Sequence, residues 1–212
     1  RILDIGCGEG QLLNLLNNRI KIGIDISFTR CQLTKNRNLN AGYCQTDCLN
    51  LPFADNSFDL IVGMEVFEHL MNPAHALKEA ARLLKPDGII ITTFPNQDKL
   101  NVTKCQNCGK LVAIDNHFHT FDRISAASLL ACFFEILEFQ PCDAIIKNRG
   151  FRYFYNSIGL KLRESISKII LSNNFCQPRW LIFICQKRKQ FDAKKCNEIV
   201  EFYRNSSYKF IE

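Results

Sequence analysis

The feature that most constrains this chain is its opening, where an apolar run of strand length, Arg1–Ile5, breaks into Gly6-Cys7-Gly8-Glu9-Gly10 and then into a helical pattern over Gln11–Asn18. Glycines on alternate positions let the backbone turn in ways a Cβ would forbid, and they let a ligand approach the main chain closely. Strand, glycine turn and helix in that order make the first unit of an α/β sheet. The unit then recurs. Strand-length runs at Ile20–Asp25, Gly42–Asp47, Phe58–Met64 and Gly88–Phe94 alternate with helical segments at Phe28–Asn36 and Pro73–Leu84, the last ended by Lys85-Pro86-Asp87-Gly88. This alternation predicts an α/β fold: a Rossmann-like, doubly wound, mostly parallel sheet with helices on both faces.

Acidic residues sit in register with the predicted strands. Asp4 lies within the first strand, Asp25 ends the second and Asp47 ends the third. Open α/β sheets bind ligands at the carboxyl ends of their strands, and an acid there can accept hydrogen bonds from both hydroxyls of a ribose. The glycine pattern is Asp-x-Gly-x-Gly-x-Gly, which departs from the Gly-x-Gly-x-x-Gly of hydride-transfer enzymes.

With these residues in place, the chain resembles the class I S-adenosylmethionine-dependent methyltransferases of the type 11/23 kind. Leu3-Asp4-Ile5-Gly6-Cys7-Gly8-Glu9-Gly10 looks like their first motif, Gly23-Ile24-Asp25-Ile26-Ser27 their second and the Asp47 segment their third. Leu51-Pro52-Phe53-Ala54-Asp55-Asn56-Ser57-Phe58-Asp59 is similar to the family's approach to strand four, and Met64-Glu65-Val66-Phe67-Glu68-His69-Leu70 to the turn at that strand's end. The resemblance implies seven strands in the order 3-2-1-4-5-7-6, with the last-formed strand antiparallel. It also implies S-adenosylmethionine as cofactor. Gly6, Cys7, Gly8 and Gly10 would line its methionine part, with Asp4 orienting the loop. Asp25 would take the ribose, Ile26 the adenine ring, Asp47 and Cys48 the adenine amino group, and Met64 and Glu65 the sulfonium end.

The sulfonium is already an activated methyl donor, so alignment of the acceptor supplies most of the catalysis, about 7–11 kcal/mol of barrier lowering in favourable cases. A general base is needed only for a weakly acidic hydroxyl or a protonated amine. Glu65, Glu68 and His69 have the spacing that shares one face of a helical turn, and Glu65 and His69 are the catalytic candidates. His117, followed by Phe121, is a third, because a histidine at that place lies over the active site in many members of the superfamily. The expected acceptor is a small or medium-sized molecule, methylated on oxygen, nitrogen or carbon. An alternative is a small-RNA terminal 2′-O-methyltransferase, in which Glu65, Glu68, His69 and His117 or His119 would bind a divalent metal. Nucleic acid is the less favoured partner, and transfer without added divalent metal is expected. A second alternative is a non-catalytic binding protein, which the intact Gly6, Gly8 and Asp25 argue against.

Residues 95–121 break the alternation and read as an insertion without regular structure. Cys105-x-x-Cys108-Gly109 looks like a zinc knuckle, and His117 and His119 would complete a tetrahedral structural zinc site. Beyond it the pattern predicts a helix near Asp122–Cys132, apolar runs at Phe133–Phe139 and Cys142–Ile146, an amphipathic stretch at Asn156–Ser172 and a strand at Arg179–Gln186. Residues 1–190 thus form the methyltransferase domain, and 191–212 a basic, helical tail. The net charge of +6 arises late: residues 147–212 carry 14 basic and 5 acidic side chains. That excess suits a solvated face first and an anionic partner second. A hydrophobic share of 47% and a charged share of 23% exclude a disordered or fibrous chain. No apolar run reaches the ~20 residues of a membrane span. Eleven cysteines without regular spacing or a secretory signal point to a reducing, cytoplasmic setting. The start at Arg1 reads as a fragment lacking an upstream segment.

Overall fold

The computed structural model of the chain describes residues 1–16, 20–36, 40–96, 100, 102–142, 180–188 and 193–207. In chain order these form β1 (Ile2–Ile5), α1 (Gln11–Leu15), β2 (Lys21–Asp25), α2 (Phe28–Asn36), β3 (Gly42–Gln45) and β4 (Phe58–Met64). A 3₁₀ turn (Phe67–His69) leads into α3 (Pro73–Leu83) and β5 (Leu84–Pro95), followed by β6 (Val102–Lys104) and β7 (Leu111–Ala113). The remainder is α4 (Arg123–Ala131), β8 (Phe134–Cys142), β9 (Trp180–Lys187) and α5 (Ala193–Ser207).

Seven strands make one sheet in the order β3-β2-β1-β4-β5-β9-β8. β1, β2, β3, β4 and β5 run parallel, and β9 lies antiparallel to both β5 and β8. This is the seven-stranded methyltransferase order that the motifs imply. Central strands of such a sheet are buried on both faces and so read as continuous apolar runs. In β4, five of the seven residues of Phe-Asp-Leu-Ile-Val-Gly-Met are buried.

Local chemistry sets the helix boundaries. Asn72 caps α3, its side chain accepting the His75 N–H at 3.0 Å, and Pro73 occupies the first turn, where a missing N–H costs nothing. Asp122 and Ser125 form a reciprocal capping box at the start of α4. The α5 helix lies on α3: Asn72 Nδ2 donates to the Val200 carbonyl at 3.0 Å, and Cys196 and Val200 are buried.

Segment 95–121 departs from the expected irregular insertion. Its β-branched and apolar runs pair as an antiparallel hairpin, Val102 opposite Ala113 and Lys104 opposite Leu111. The Cys105–Lys110 turn is closed by Cys105 N–H to Lys110 O and Gly109 N–H to Cys105 O, both 2.8 Å, with Gly109 at φ +72°. The stretches expected at Cys142–Ile146, beyond its first residue, and at Asn156–Ser172 lie outside the described residues.

A ring of aromatic side chains fastens this segment to the sheet. Phe94 of β5 meets Phe121 at 4.7 Å, Phe67 at 5.8 Å and Phe183 at 6.0 Å between centroids, and all four are buried. Each such pair adds about 0.5–1.5 kcal/mol beyond the area it buries. Phe121→Ala should lower stability by about 3–5 kcal/mol, read as a shift in the denaturant midpoint at constant slope.

Candidate active site

The carboxyl ends of β1, β2, β3 and β4 open onto one cleft of about 570 Å³. Gly6, Gly8 and Gly10 all take left-handed φ angles, +67°, +53° and +71°, so the loop after β1 needs its glycines. A Cβ on Gly6 would stand 2.5 Å from Val66 Cγ2, which shows how closely this loop meets the segment after β4. Asp25 ties the loop to β2. One of its carboxylate oxygens accepts the Gly8 N–H at 3.0 Å and the other accepts the Ser27 N–H at 2.8 Å.

Gly6, Asp25, Ile26, Asp47, Cys48, Glu65 and His69 line the cleft. Of these, Ile26 is a large apolar side chain left 72% exposed. Asp4 and Cys7 are buried beneath the loop instead. Met64 packs against the apolar cluster of Leu60, Val62 and Ile91, away from the cleft. Arg30, Thr46 and Asn116 also line it. Sequence reasoning missed them, because Arg30 on α2, Thr46 just past β3 and Asn116 beyond β7 share no spacing or pattern.

The far end of the cleft concentrates acid. Glu65 precedes the 3₁₀ turn with φ +52°, so Glu65, Glu68 and His69 do not lie on one continuous helical face as their spacing suggested. Burial pushes the Glu65 carboxyl up to about 7 against the opposing pull of bonds from Thr93 and Trp180. Glu68 is fully buried, and neither carboxylate oxygen has a hydrogen-bond partner. Burial, then the nearby charge of Glu65, raises it to about 8. His69 Nε2 stands 3.9 Å from Glu68 Oε1, and its Nδ1 lies 3.1 Å from the Asn116 carbonyl. The His69 and His117 rings meet edge-on at 4.7 Å.

The four-residue zinc set is not assembled. Among the described residues, the group of three or more metal-capable side chains that converges is Glu68, His69 and His117, with their ligand atoms within 4.8 Å of one another. Cys105 and Cys108 ride on the turn of the β6–β7 hairpin. The histidines are pinned elsewhere: the Phe118 and His119 N–H groups donate to the Glu68 carbonyl at 2.8 and 3.3 Å, and His119 Nε2 lies 3.3 Å from the Met71 carbonyl.

A mostly parallel sheet with this strand order, a glycine turn after β1 and acids at the ends of β2 and β3 is an arrangement in which open α/β folds bind nucleotides. The methyltransferase domain family matches residues 3–92. An uncharacterized protein of Methanocaldococcus jannaschii is 29% identical over 181 residues, covering 81% of this chain and 71% of that protein. A probable S-adenosylmethionine-dependent methyltransferase of Mycobacterium tuberculosis is 32% identical over 98 residues, 45% of this chain and only 36% of that protein. The crystal structure of a methyltransferase from Methanosarcina mazei superposes with a TM-score of 0.62 at 21% identity, covering 89% of this chain and 92% of that one. The chain is thus similar to S-adenosylmethionine-dependent methyltransferases in sequence over its first half and in fold over most of its length. Among the described residues, no helix is long and apolar enough to cross a membrane.

Asp4 shapes the pH dependence of folding whether or not a ligand is bound. It is buried with Oδ2 unpartnered; burial, then the Asp25 charge, raises its carboxyl to about 8 from 3.8. Between these values the folded state keeps a proton that the unfolded chain has released, so stability falls as pH rises through that window. Each unit of the difference is worth about 1.4 kcal/mol. Asp4→Asn should flatten the fall, measured as denaturant midpoints between about pH 4 and pH 8.

Proposed function

We propose that the cleft binds S-adenosylmethionine and that the chain transfers its methyl group to a small or medium-sized acceptor lodged at the Glu65–His69 end. The observation that carries this reading is the division of one cleft into two chemistries. At the β1–β3 end, Asp25 keeps lone pairs beyond its two backbone bonds, which suits ribose hydroxyls, and exposed Ile26 offers a flat apolar surface beside it. Asp47 supplies an acceptor for an amino group. A side chain on Gly8 would find no atom nearer than Arg30 Nη1 at 3.9 Å, so the loop has open space for a ligand against its backbone. These residues fit an adenosine-bearing cofactor. When bound, S-adenosylmethionine brings a methyl group on a positively charged sulfur, ready for in-line displacement.

At the other end Glu65 is a carboxyl poised near neutral pH, the range in which a general base is most effective. Its role is to take the proton of the acceptor's hydroxyl or ammonium as the new bond to the methyl carbon forms. His69 and Asn116 line the same end and shape the acceptor pocket. Asp25→Ala should weaken binding of S-adenosylhomocysteine about tenfold or more by calorimetry, a charge-assisted hydrogen bond being worth about 1.5–3 kcal/mol. Unchanged affinity would remove the cofactor assignment. A labelled-cofactor screen of acceptors then identifies the substrate, and on that substrate Glu65→Gln should lower kcat while leaving cofactor affinity intact.

A second reading, an RNA terminus as acceptor, is favoured by one observation: Glu68, His69 and His117 do converge. It replaces the first reading if methyl transfer requires both RNA and an added divalent metal. Transfer to a small acceptor after chelation disposes of it.

A further inference from the structure

Three strands meet on one side chain. Glu65 lies just past the end of β4, Thr93 lies on β5 and Trp180 opens β9. The Thr93 hydroxyl is wholly buried and used in both directions: it accepts the Glu65 N–H at 3.0 Å and donates to Glu65 Oε1 at 2.8 Å. The Trp180 side chain, whose one donor is the indole N–H, also acts on the Glu65 carboxyl, lowering its pKa against the rise that burial causes. Glu65 itself sits at φ +52°, a left-handed conformation that costs a non-glycine residue about 1–3 kcal/mol and persists only where its surroundings over-determine it.

We infer that Thr93 and Trp180 are positioning residues that hold the Glu65 carboxylate in the acceptor end of the cleft, one gripping its backbone and carboxylate together, the other fixing the carboxylate from the neighbouring strand. The register explains how this is possible. Thr93 pairs with Met64, the last residue of β4, on one side and with Ile182 on the other, while Trp180 pairs with Pro95. A carboxylate just beyond β4 is therefore within reach of the carboxyl end of β5 and the amino end of antiparallel β9. Without the Thr93 hydroxyl, the Glu65 N–H would lose its acceptor and the strained backbone its anchor. Without the indole, the carboxylate would keep one fixed bond and regain freedom to rotate. Neither residue belongs to a motif of the family segment at 3–92, and Trp180 enters from almost ninety residues further along the chain.

The catalytic consequence rests on the reading of Glu65 as acceptor-side base, but the contact itself is tested without acceptor or cofactor. Trp180 is the single tryptophan of the chain, so its indole N–H gives one unambiguous proton–nitrogen resonance. In the unliganded chain this resonance should lie downfield, in the region of a proton shared with a carboxylate. Glu65→Gln should move it upfield. Thr93→Val should move it too, and Thr93→Ser should restore it, because serine keeps the hydroxyl. An indole resonance at the position of a solvated tryptophan, indifferent to Glu65→Gln and to Thr93→Val, would overturn the inference. Trp180→Phe, with binding of S-adenosylhomocysteine measured alongside, separates this inference from the cofactor assignment. The expected outcome is a loss of kcat of tenfold or more with cofactor affinity unchanged. If the indole is bonded but the variant turns over normally, the positioning role is overturned; if S-adenosylhomocysteine fails to bind a chain whose indole is bonded, the functional reading falls while this contact stands.

Discussion

The parallel register of β1 between β2 and β4 is the constraint on which the rest of this molecule depends. Ile5 stands level with Ile24 on one side and Gly63 on the other, so three strands end flush within a residue or two. The residues at each strand's carboxyl end are thereby delivered to one edge: the glycine loop after β1, Asp25 at the end of β2, Glu65 after β4. Two of the small residues keep this edge compact. A Cβ on Gly23 would lie 2.7–3.0 Å from Leu13 and Cys7, and one on Gly63 would lie 2.8 Å from the Phe67 ring. Bulkier side chains at either place would push apart the elements that the cleft needs in contact.

Acid at that edge is handled in two opposite ways. Asp25 is buried yet accepts two backbone N–H groups, so its charge is already solvated by the fold before any ligand arrives. Asp4 and Glu68 are buried and Glu65 half-buried, with less compensation, and all three have their carboxyls pushed up to about 7 or 8. Such groups reduce stability at neutral pH, and nothing in packing requires them. A carboxyl kept there fits a use that needs a proton moved or a positive charge met, which is why strongly perturbed groups gather at functional sites. Glu65 is the one of the three that lines the cleft, and it is also the one that the Thr93 hydroxyl holds.

The alternation of strands and helices and the residues at one end of the cleft were legible because they are written locally, while the order of the strands came from the resemblance of the motifs. A glycine turn needs glycines at fixed spacing, and an acid at a strand end comes directly after the apolar run that makes the strand, so Gly6, Asp25 and Asp47 announce themselves. The Glu65 end is not written that way. Thr93 is one of two adjacent threonines inside an apolar strand, and Trp180 begins a run that reads simply as a buried strand. Their relation to Glu65 exists only through the pairing of β4 with β5 and β5 with β9, which no short window of sequence contains. The zinc reading failed for the same reason. Spacing joined Cys105 and Cys108 to His117 and His119, but the β6–β7 hairpin and the hydrogen bonds from Phe118 and His119 to the Glu68 carbonyl divide them between a solvent-facing turn and the rim of the site.

That division gives the 102–121 segment a definite place in the chemistry. Its anchor is hydrophobic, through Phe121 on Phe94, and its return to the sheet is marked by a bridge between Asn96 and Phe121. It meets the rim of the cleft at the Asp115–His119 stretch, where the Asn116 carbonyl meets His69 Nδ1 and His117 stands beside the His69 ring. Asp115 lies 3.5 Å from His117 Nδ1 and so orients that ring as well. The segment therefore borders the Glu65–His69 end of the cleft through backbone groups and through the two rings it orders, while Leu111 and Ile114 are left exposed.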